Sequence, residues 1–561
     1  MAPAVVSGER LVVFLFVACV ALAAPLNLAA PLALLSAAAL AVELAVDGSA
    51  SAASSPLRQF RTRPGASSGI FLGATTLPSV MVSRLIQLSR VLPADPNGRE
   101  EYAYLEMQYW AVSISCLSVL AFFIWHLWQS TSNGVSKALK YGSMFIILYP
   151  LAYFCLKTDG GLLAISNMVY MMCHGVAAVI LIRHILQKFP SCSSFGEAIL
   201  VSGGLVLYCG DMLAHTLSKM KLSVSSEALM HTPGNRSKIA TVIQGVLLGL
   251  FLLPLLYKSS LQILVYCRKL DKQRAQTVEE WTQKRIDYVV FYVSLLVALL
   301  LLVPSWMCLV QEFEVHPFVW VFNYIFTGSC ERLALCAYWI FVIYASIRRF
   351  YSISKQSKTE RILLRKYYHL VAVLIFSPAV IFQPDFLDLA FGAAFAVFLI
   401  LEMIRVWEIY PLGHIVHQFM NAFTDHRDSE ILIVSHFSLL LGCALPKWMS
   451  SGLNDRPLAP FAGILSLGIG DTMASMIGYK YGVLRWSKTG KKTIEGTAAG
   501  ITSVLAACSI LVSLLASSGY ILSQHWLSLL VAVTLSGLLE AYTAQLDNAF
   551  IPLVFYSLLC L

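Results

Sequence analysis

The sequence predicts an all-α protein, a polytopic bundle of transmembrane helices. Of its 561 residues, 58% are hydrophobic and only 13% are charged, a composition outside the usual range for soluble domains. Apolar runs long enough to cross a bilayer recur from end to end, for example Leu11–Val42, Tyr109–Trp128 and Tyr288–Val310. Counting such segments predicts roughly 13 to 15 spans.

The chain divides into three regions by the distribution of its polar residues. Residues 1–260 are expected to form an N-terminal transmembrane region of unassigned role, and residues 261–364 a transmembrane region with basic cytoplasmic loops. Polar clusters crowd residues 365–561, so the chemistry is expected there. The first apolar run continues to Val42, which favours an uncleaved signal anchor over a cleaved signal peptide.

The formal net charge of +9 comes from Lys and Arg in short loops between the spans, which is typical of orientation charge and not of nucleic-acid binding. The loop Arg348–Lys366 carries seven basic residues against one acid and is predicted to face the cytoplasm. Counting spans puts the loops Arg405–Glu430 and Lys480–Lys492 on the same side. The 13 Cys are scattered singly and indicate no zinc site.

An Asp follows closely spaced glycines in the middle of a predicted span, in the stretch GIGDTMASMIG at 468–478. We expect this Gly-x-Gly-Asp-Thr sequence to break the helix, leaving a half-helix that is capped by Asp471 or Thr472 and continues through Ser475. Asp471 and Ser475 would then share one face. An ionisable side chain at this depth is costly unless it lines a watered cavity or binds a cation, so Asp471 is a candidate metal ligand.

The loop YKYGVLRWSKTGKKTIEGT, residues 479–497, carries five basic residues before its only acid, Glu495. Glycines that let the backbone turn, together with Lys and Arg, are typical of a polyphosphate-binding loop. An ordinary cytoplasmic loop would explain the charges but not the glycine spacing. The candidate binding residues are Gly470, Thr472, Ser475, Gly482, Arg485, Lys488, Gly490, Thr493, Gly496 and Thr497. The candidate catalytic residues are Asp471, Lys491, Lys492 and Glu495.

The nucleotide-binding motifs of soluble kinases do not fit this chain. A Walker A loop requires Gly where Arg485 stands and Ser or Thr where Lys492 stands. The tripeptide HRD at 426–428 is followed by Ile433 where a protein kinase requires Asn, and no Asp-Phe-Gly follows.

The combination of GIGDTMASMIG with GKKTIEGT resembles the nucleotide site of CTP-dependent membrane enzymes, namely the dolichol and phytol-type polyprenol kinases and the phosphatidate cytidylyltransferases. Four further stretches are similar to dolichol kinases: RKYYHL (365–370), YPLGHIV (410–416), FTDHRDSEILIVSHFSLLLGCALPKW (423–448) and LLEAYTAQLDNAFIPL (538–553). The Pro-Gly-His signature of the cytidylyltransferases has no match here. The resemblance is close over residues 365–561, whereas the N-terminal half is similar only as a series of apolar spans.

This resemblance implies that residues 365–561 form a CTP-dependent lipid kinase domain. It implies transfer of the CTP γ-phosphate to the terminal hydroxyl of dolichol, giving dolichyl phosphate and CDP on the cytoplasmic face of the endoplasmic reticulum. Lys491, Lys492 and a magnesium ion near Asp471 would neutralise charge, and Glu495 would order a Lys or a metal-bound water. The general base stays open among Asp428, Asp471, His369 and Glu495.

Two more carboxylates lie in the otherwise apolar C-terminal end. Glu540, Thr543 and Asp547 are spaced so that they can share one helix face. Two acids at membrane depth favour a site over a polar bundle contact, and Asp547 is expected to join Asp471 as a metal ligand.

Three alternative functions use the same features. The first is a CTP-dependent kinase of another polyprenol such as phytol, and the second is a cytidylyltransferase that releases pyrophosphate. The third is a lipid transporter with broken helices at its binding site. A transporter predicts polar residues over both halves, whereas this chain concentrates them in its C-terminal third.

Overall fold

Helices make up the regular structure of the chain. The computed structural model describes residues 7–50, 57, 60, 62–63, 65–91, 98–130, 140–141, 143–144, 146, 148–149, 162–220, 236–271, 280–354, 360–421, 432–450, 455–486, 492–517 and 525–561. Within these ranges the β-structure is one isolated bridge, between Arg485 and Thr493. The predicted all-α class is therefore confirmed.

The helices are numbered here in chain order. Those of the first half are α1 (Gly8–Ala23), α2 (Leu26–Ala50), α3 (Ile70–Val91), α4 (Gly98–Ser130), α5 (Leu162–Lys188), α6 (Phe195–Lys219) and α7 (Lys238–Asp271). Next come α8 (Glu280–Val297), a π-helical segment (Ala298–Leu302), α9 (Val303–Val310), α10 (Pro317–Phe326), α11 (Cys330–Ser354), α12 (Glu360–Phe382), α13 (Pro384–Val406), α14 (Leu412–Asn421) and α15 (Val434–Met449). The last are a 3₁₀ turn (Ala459–Phe461), a π-helix (Ile464–Asp471), α16 (Thr472–Tyr481), α17 (Ile494–Ser517), α18 (Trp526–Tyr542) and α19 (Asp547–Leu559).

Many of these helices have the length and apolarity of membrane spans. Ten described helices meet both criteria, and five shorter apolar helices of 10–17 residues accompany them. The chain is thus a multi-pass membrane protein. The expected number of roughly 13 to 15 spans requires that several of the shorter helices also cross.

The N-terminal apolar run is two helices and not one continuous stretch. Ala24, which precedes Pro25, has extended dihedrals (φ −86°, ψ 150°) and ends α1, because the proline ring disfavours a helical conformation in the residue before it. α1 and α2 are joined by an ion pair in which Arg10 Nε donates to Glu43 Oε1 at 2.7 Å.

Helices from the two ends of the chain share one hydrophobic core. Side chains of α1–α6 and of α15, the π-helix Ile464–Asp471 and α17–α19 belong to the same buried cluster, and α3 packs directly on α19. Two spans in the middle of the chain are far less enclosed: the most apolar part of the span Ile70–Arg90 is 89% buried, whereas those of Arg285–Val310 and Cys330–Arg349 are 22% and 11% buried. These two apolar spans are therefore suited to face lipid.

The predicted broken helix at Gly468–Thr472 is wrong. The π-helix Ile464–Asp471 runs directly into α16, and Asp471 has helical dihedrals (φ −63°, ψ −34°) with no capping hydrogen bond from its side chain. Gly468 and Gly470 serve close packing instead. A Cβ on Gly468 would lie 2.2 Å from Val373 Cγ2, and one on Gly470 would lie 3.0 Å from Val504 Cγ2.

A helix does break nearby, at residues 543–546. α18 ends at Tyr542 and α19 begins at Asp547, with Thr543 and Leu546 in extended conformations between them. The expectation that Glu540, Thr543 and Asp547 share one helix face is therefore wrong, since they lie on two different helices. The segment contains neither Gly nor Pro, so its sequence gives no sign of the break.

Candidate active site

Asp471 is the centre of the candidate site and is only 2% exposed. Lys366 Nζ donates to its Oδ2 at 2.5 Å, and His369 Nδ1 lies 3.1 Å from the same oxygen. His369 Nδ1 is also 3.1 Å from the carbonyl oxygen of Leu467, which can only accept, so Nδ1 carries the proton. Ser475 Oγ donates to Asp471 Oδ1 at 3.4 Å, as their spacing predicted.

A glycine allows α12 to bring its two basic side chains to Asp471. Lys366 and His369 are three residues apart and share one face of α12. A Cβ on Gly468 would lie 2.2 Å from Val373 Cγ2 and 3.4 Å from the carbonyl oxygen of His369. The missing side chain thus lets α12 and the π-helix approach closely, and Thr472 Oγ1 donates to the Lys366 carbonyl oxygen at 3.4 Å.

A second ion pair lies beside the first. Lys492 Nζ is 3.6 Å from Glu540 Oε1 and also donates to the Glu540 carbonyl oxygen. Lys366 is within range of charge interaction with both Glu540 and Asp547. We call this group the charged cluster; its members are Lys366, His369, Asp471, Lys492, Glu540 and Asp547. Three separate parts of the chain supply it: α12, the segment from the π-helix to the start of α17, and the junction of α18 and α19.

The charged cluster fits only a metal ion that arrives with other ligands. In the described part of the chain, no three His, Cys, Asp or Glu side chains converge to hold a metal by themselves. Mg²⁺ in nucleotide sites uses one or two carboxylates and takes its other ligands from phosphates and water. Asp471 and Asp547, both within range of charge interaction with Lys366, are the candidate carboxylates for such an ion.

The described parts of the basic loop, on either side of residues 487–491, are joined by Glu495. Its carboxylate accepts hydrogen bonds from the Leu484 amide at 3.0 and 3.2 Å, while the Ile494 amide donates to the Leu484 carbonyl oxygen at 2.8 Å. Trp486 Nε1 donates to Thr497 Oγ1 at 2.9 Å. Glu495 thus anchors the loop, and its catalytic role stays a prediction.

Two of the loop glycines are packing positions. A Cβ on Gly482 would lie 2.6 Å from Thr493 Oγ1, and one on Gly496 would lie 2.6 Å from the carbonyl oxygen of Ala474. These contacts explain the glycine spacing by the close crossing of α16 and α17. The side chain of Arg485 is exposed. Three of the predicted residues, Lys488, Gly490 and Lys491, and the candidate base Asp428 lie outside the described residues.

A narrow cavity of about 20 Å³ adjoins the charged cluster between the π-helix, α17, α18 and α19. Its volume holds little more than a water molecule. The lining residues are Ser466, Gly470, Thr497, Gly500, Ile501, Val504, Val533, Ser536, Gly537, Glu540, Ile551 and Phe555. Glu540 belongs both to this cavity and to the charged cluster, so the cavity reaches the charged cluster at Glu540.

Lys366 is the member of the charged cluster that sequence reasoning missed. It stands at the end of the basic loop Arg348–Lys366, where its charge was explained by membrane orientation. The available signal was the spacing of Lys366 and His369 at the start of a span, which puts both side chains on one helix face.

Comparisons with known proteins agree on one family. A sequence model described as dolichol kinase matches residues 161–457. The chain is 55% identical over 571 residues to the dolichol kinase EVAN of Arabidopsis thaliana, covering 99% of both chains. It is 32% identical over 392 residues to the human dolichol kinase, covering 67% of this chain and 66% of the human one. The match to the Saccharomyces cerevisiae dolichol kinase is 34% over 240 residues, or 42% of this chain and 43% of the yeast one.

No solved structure shows a significant match to the chain. The family model covers more than half of the sequence, and the Arabidopsis relative matches almost all of it at well over 30% identity. This chain belongs to the dolichol kinase family.

Proposed function

We propose that this chain transfers the γ-phosphate of CTP to the terminal hydroxyl of dolichol, at the cytoplasmic face of the endoplasmic reticulum membrane. The observation that carries the proposal is the contact of Lys366 with the buried Asp471, beside the basic loop, in a member of the dolichol kinase family. Membership implies a lipid alcohol as acceptor and a nucleotide as donor. What we propose beyond family membership is that the donor is CTP, that the cation is magnesium, and that the membrane is that of the endoplasmic reticulum.

Charge neutralisation is the main task of the protein in phosphoryl transfer. Lys366 and Lys492 would bind phosphate oxygens, and Lys491 of the basic loop is proposed to do the same. In the structure Lys366 and Lys492 contact Asp471 and Glu540. Phosphate oxygens would replace these carboxylates as partners of the two ammonium groups when the nucleotide binds.

Asp471 and Asp547 would hold a magnesium ion that the nucleotide brings. Such an ion would supply neutralisation of the triphosphate charge. Binding of this kind requires Asp471 to give up its contact with Lys366, which then becomes available to phosphate. Lys366 thus keeps the buried carboxylate paired until the nucleotide arrives.

The lipid alcohol must meet the nucleotide at the edge of the membrane, because dolichol cannot leave the bilayer. We assign its hydroxyl to the polar end of the cavity at Glu540; the cavity has room for a hydroxyl group and no more, so the isoprenoid chain would stay outside it in the bilayer. A bond forms between the hydroxyl oxygen and the γ-phosphorus, and the bond from that phosphorus to the β-phosphate bridging oxygen breaks. The hydroxyl proton would go to the Glu540 carboxylate, and CDP would leave.

Labelled nucleotides test this proposal. Purified full-length protein in detergent would be incubated with dolichol, Mg²⁺ and CTP labelled at either the α- or the γ-phosphate. We expect the γ-label in the lipid product and the α-label in CDP. Transfer of the α-label to lipid with release of pyrophosphate would instead identify a cytidylyltransferase.

The preference for CTP as donor and the requirement for a metal ion are tested separately. We expect ATP to support much less turnover than CTP, and excess chelator to abolish the reaction, because the triphosphate needs its charge balanced. Full activity in chelator would remove the metal from the proposal, and equal turnover with ATP would remove the preference for CTP.

A further inference from the structure

The segment Thr543–Leu546 connects the two helices that carry the last acids of the charged cluster. Glu540 lies in the final turn of α18, and Asp547 is the first residue of α19. Both carboxylates are therefore only a few bonds from this segment. Whatever holds Thr543–Leu546 also sets the positions of Glu540 and Asp547.

The backbone of the segment is held by an ion pair from the N-terminal half. Arg63 and Glu197 contact each other and are only 6% and 3% exposed. Arg63 Nη2 donates to the Ala544 carbonyl oxygen at 3.0 Å, and the Leu546 amide donates to Glu197 Oε1 at 2.7 Å. Each member of the pair thus satisfies one backbone group that the helix break leaves without a helical partner.

The side chain of Gln545 provides a second attachment to the N-terminal half. It is 1% exposed, and its Nε2 donates to Ser67 Oγ at 2.8 Å and to the Ser67 carbonyl oxygen at 3.0 Å. Ser194 Oγ donates to Gln545 Oε1. Gly69 has φ +62°, and a Cβ there would lie 2.4 Å from the side-chain Nε2 of Gln545. Glycine is therefore required at this contact.

Glu197 links the segment rigidly to α6. It completes a capping box, in which its carboxylate accepts from the Ser194 amide at 2.8 Å and its own amide donates to Ser194 Oγ at 3.1 Å. The same carboxylate also accepts the hydrogen bond from the Leu546 amide. A buried ion pair is a poor source of stability compared with apolar packing, and its directional hydrogen bonds specify geometry instead.

We propose that Arg63, Glu197 and Gln545 are positioning residues, which fix the segment Thr543–Leu546 so that Glu540 and Asp547 face Lys492 and Lys366. The N-terminal helices are then a working part of the active site and not only a membrane anchor. The effect on catalysis rests on the function proposed above, whereas the attachment itself does not.

Gln545→Ala is the principal test variant, because it removes three hydrogen bonds without leaving a buried charge. Asp471 and Lys366 stay in place, so we expect the KM for CTP to change by less than about threefold. We expect kcat to fall by about 10- to 100-fold, the usual consequence of displacing catalytic groups by an ångström. The concentration of Mg²⁺ at half-maximal rate should rise.

Arg236→Gln is the matched control. It breaks an ion pair of the N-terminal half, Arg236 with Asp211, whose side chains are 14% and 16% exposed. Asp211 lies fourteen residues beyond Glu197 on α6, about 21 Å along the helix. A mere loss of stability would lower the amount of folded protein but leave kcat per folded molecule unchanged in both variants, whereas positioning predicts a loss of kcat per folded molecule for Gln545→Ala alone.

Hydrogen exchange of the peptide covering residues 543–550 provides a readout that needs no activity. We expect slow exchange in the unmodified protein and in Arg236→Gln, and faster exchange in Gln545→Ala. Thr543→Val is a milder second variant, since it removes the hydrogen bond from Thr543 Oγ1 to Glu9 Oε1 (3.3 Å) and keeps the size of the side chain. It should show the same exchange effect to a smaller extent.

Two results would overturn the proposal: rapid exchange of this peptide in the unmodified protein, or an unchanged kcat in Gln545→Ala despite faster exchange. An unmodified protein that does not phosphorylate dolichol with CTP would refute the proposed function. The exchange result would still decide whether the N-terminal half holds the segment.

Discussion

Buried charges occur in two different arrangements in this molecule. Outside the charged cluster, the pairs Arg63–Glu197, Arg405–Glu402 and Lys447–Asp388 each join one base to one acid. The charged cluster instead combines three carboxylates with two ammonium groups and a histidine. Matched pairs serve the fold, whereas an excess of carboxylates in a buried place is suited to a cation that arrives with the substrate.

The largest effect is expected for a substitution in the charged cluster, Asp471→Asn, and it distinguishes the cluster from the matched pairs. Asp471→Asn should lower kcat by a few hundredfold, since losing stabilisation of developing charge commonly costs about 3 to 4 kcal/mol. Its level in the membrane should be normal, because insertion depends on the apolar spans. Activity per membrane-inserted molecule is the measurement. The loop variant Lys491→Ala is expected to behave in the same way.

Asp388→Asn is the control for this loss, since Asp388 Oδ2 lies 2.9 Å from Lys447 in a matched pair. It should lower stability by about 1 to 3 kcal/mol, the cost of weakening a buried charged contact. Its kcat per folded molecule should be unchanged. Equal loss of kcat in Asp388→Asn and Asp471→Asn would erase the distinction between the two arrangements.

Lys366→Met tests whether Lys366 binds a phosphate group of CTP. We expect the KM for CTP to rise by roughly 10- to 100-fold, corresponding to about 1.5 to 3 kcal/mol for a charged hydrogen bond, with the KM for dolichol little changed. Steady-state kinetics with each substrate varied in turn provides the measurement. A rise confined to the KM for dolichol would contradict the assignment.

Gly468→Ala should cost about 1 to 3 kcal/mol of stability by overpacking, because its Cβ would lie 2.2 Å from Val373 Cγ2. Displacement of α12 would also move Lys366 and lower activity by about tenfold. The double variant Gly468→Ala, Val373→Ala removes the clashing atom and should recover part of both losses. Thermal unfolding and turnover in the single and double variants check this, and no recovery would mean that Gly468 acts otherwise.

The smallest effect is expected for Lys488→Ala, which should change kcat and the KM for CTP by less than about twofold. It removes the same charge from the basic loop as Lys491→Ala. If Lys488→Ala and Lys491→Ala lost equal and modest activity, the loop would serve membrane orientation alone and the phosphate-binding interpretation would fail.

Sequence reasoning predicted the class of fold and singled out Asp471, whose role stays a prediction, because both leave strong local signals. Apolar runs identify spans, and an ionisable residue inside one stands out. The partner of Asp471 could not be predicted in this way, since Lys366 lies 105 residues earlier in the chain. Its contact depends on how α12 packs against the π-helix.

The two errors about helix breaks have a common physical cause. Gly468 and Gly470 were interpreted through their backbone freedom, yet at Gly468 the absence of a side chain matters because a neighbouring helix fills the space. The true break at Thr543–Leu546 contains no residue that disfavours a helix, and contacts from Arg63, Glu197 and Gln545 stabilise it. In both places tertiary contacts outweigh local preference.

The π-helix Ile464–Asp471 also makes the site sensitive to the number of residues in the chain. A π-helix accommodates an extra residue within a turn, so the loss of one codon in this segment would let it relax into an ordinary α-helix. Each residue of an α-helix turns the chain by about 100°. Relaxation to the narrower α-helix would compensate most of this rotation and leave a span of nearly the same length and apolarity, but it would shift the backbone that carries Asp471 relative to Lys366 on α12. We therefore expect single-residue deletions between Ile464 and Gly470 to be selected against more strongly than substitutions there.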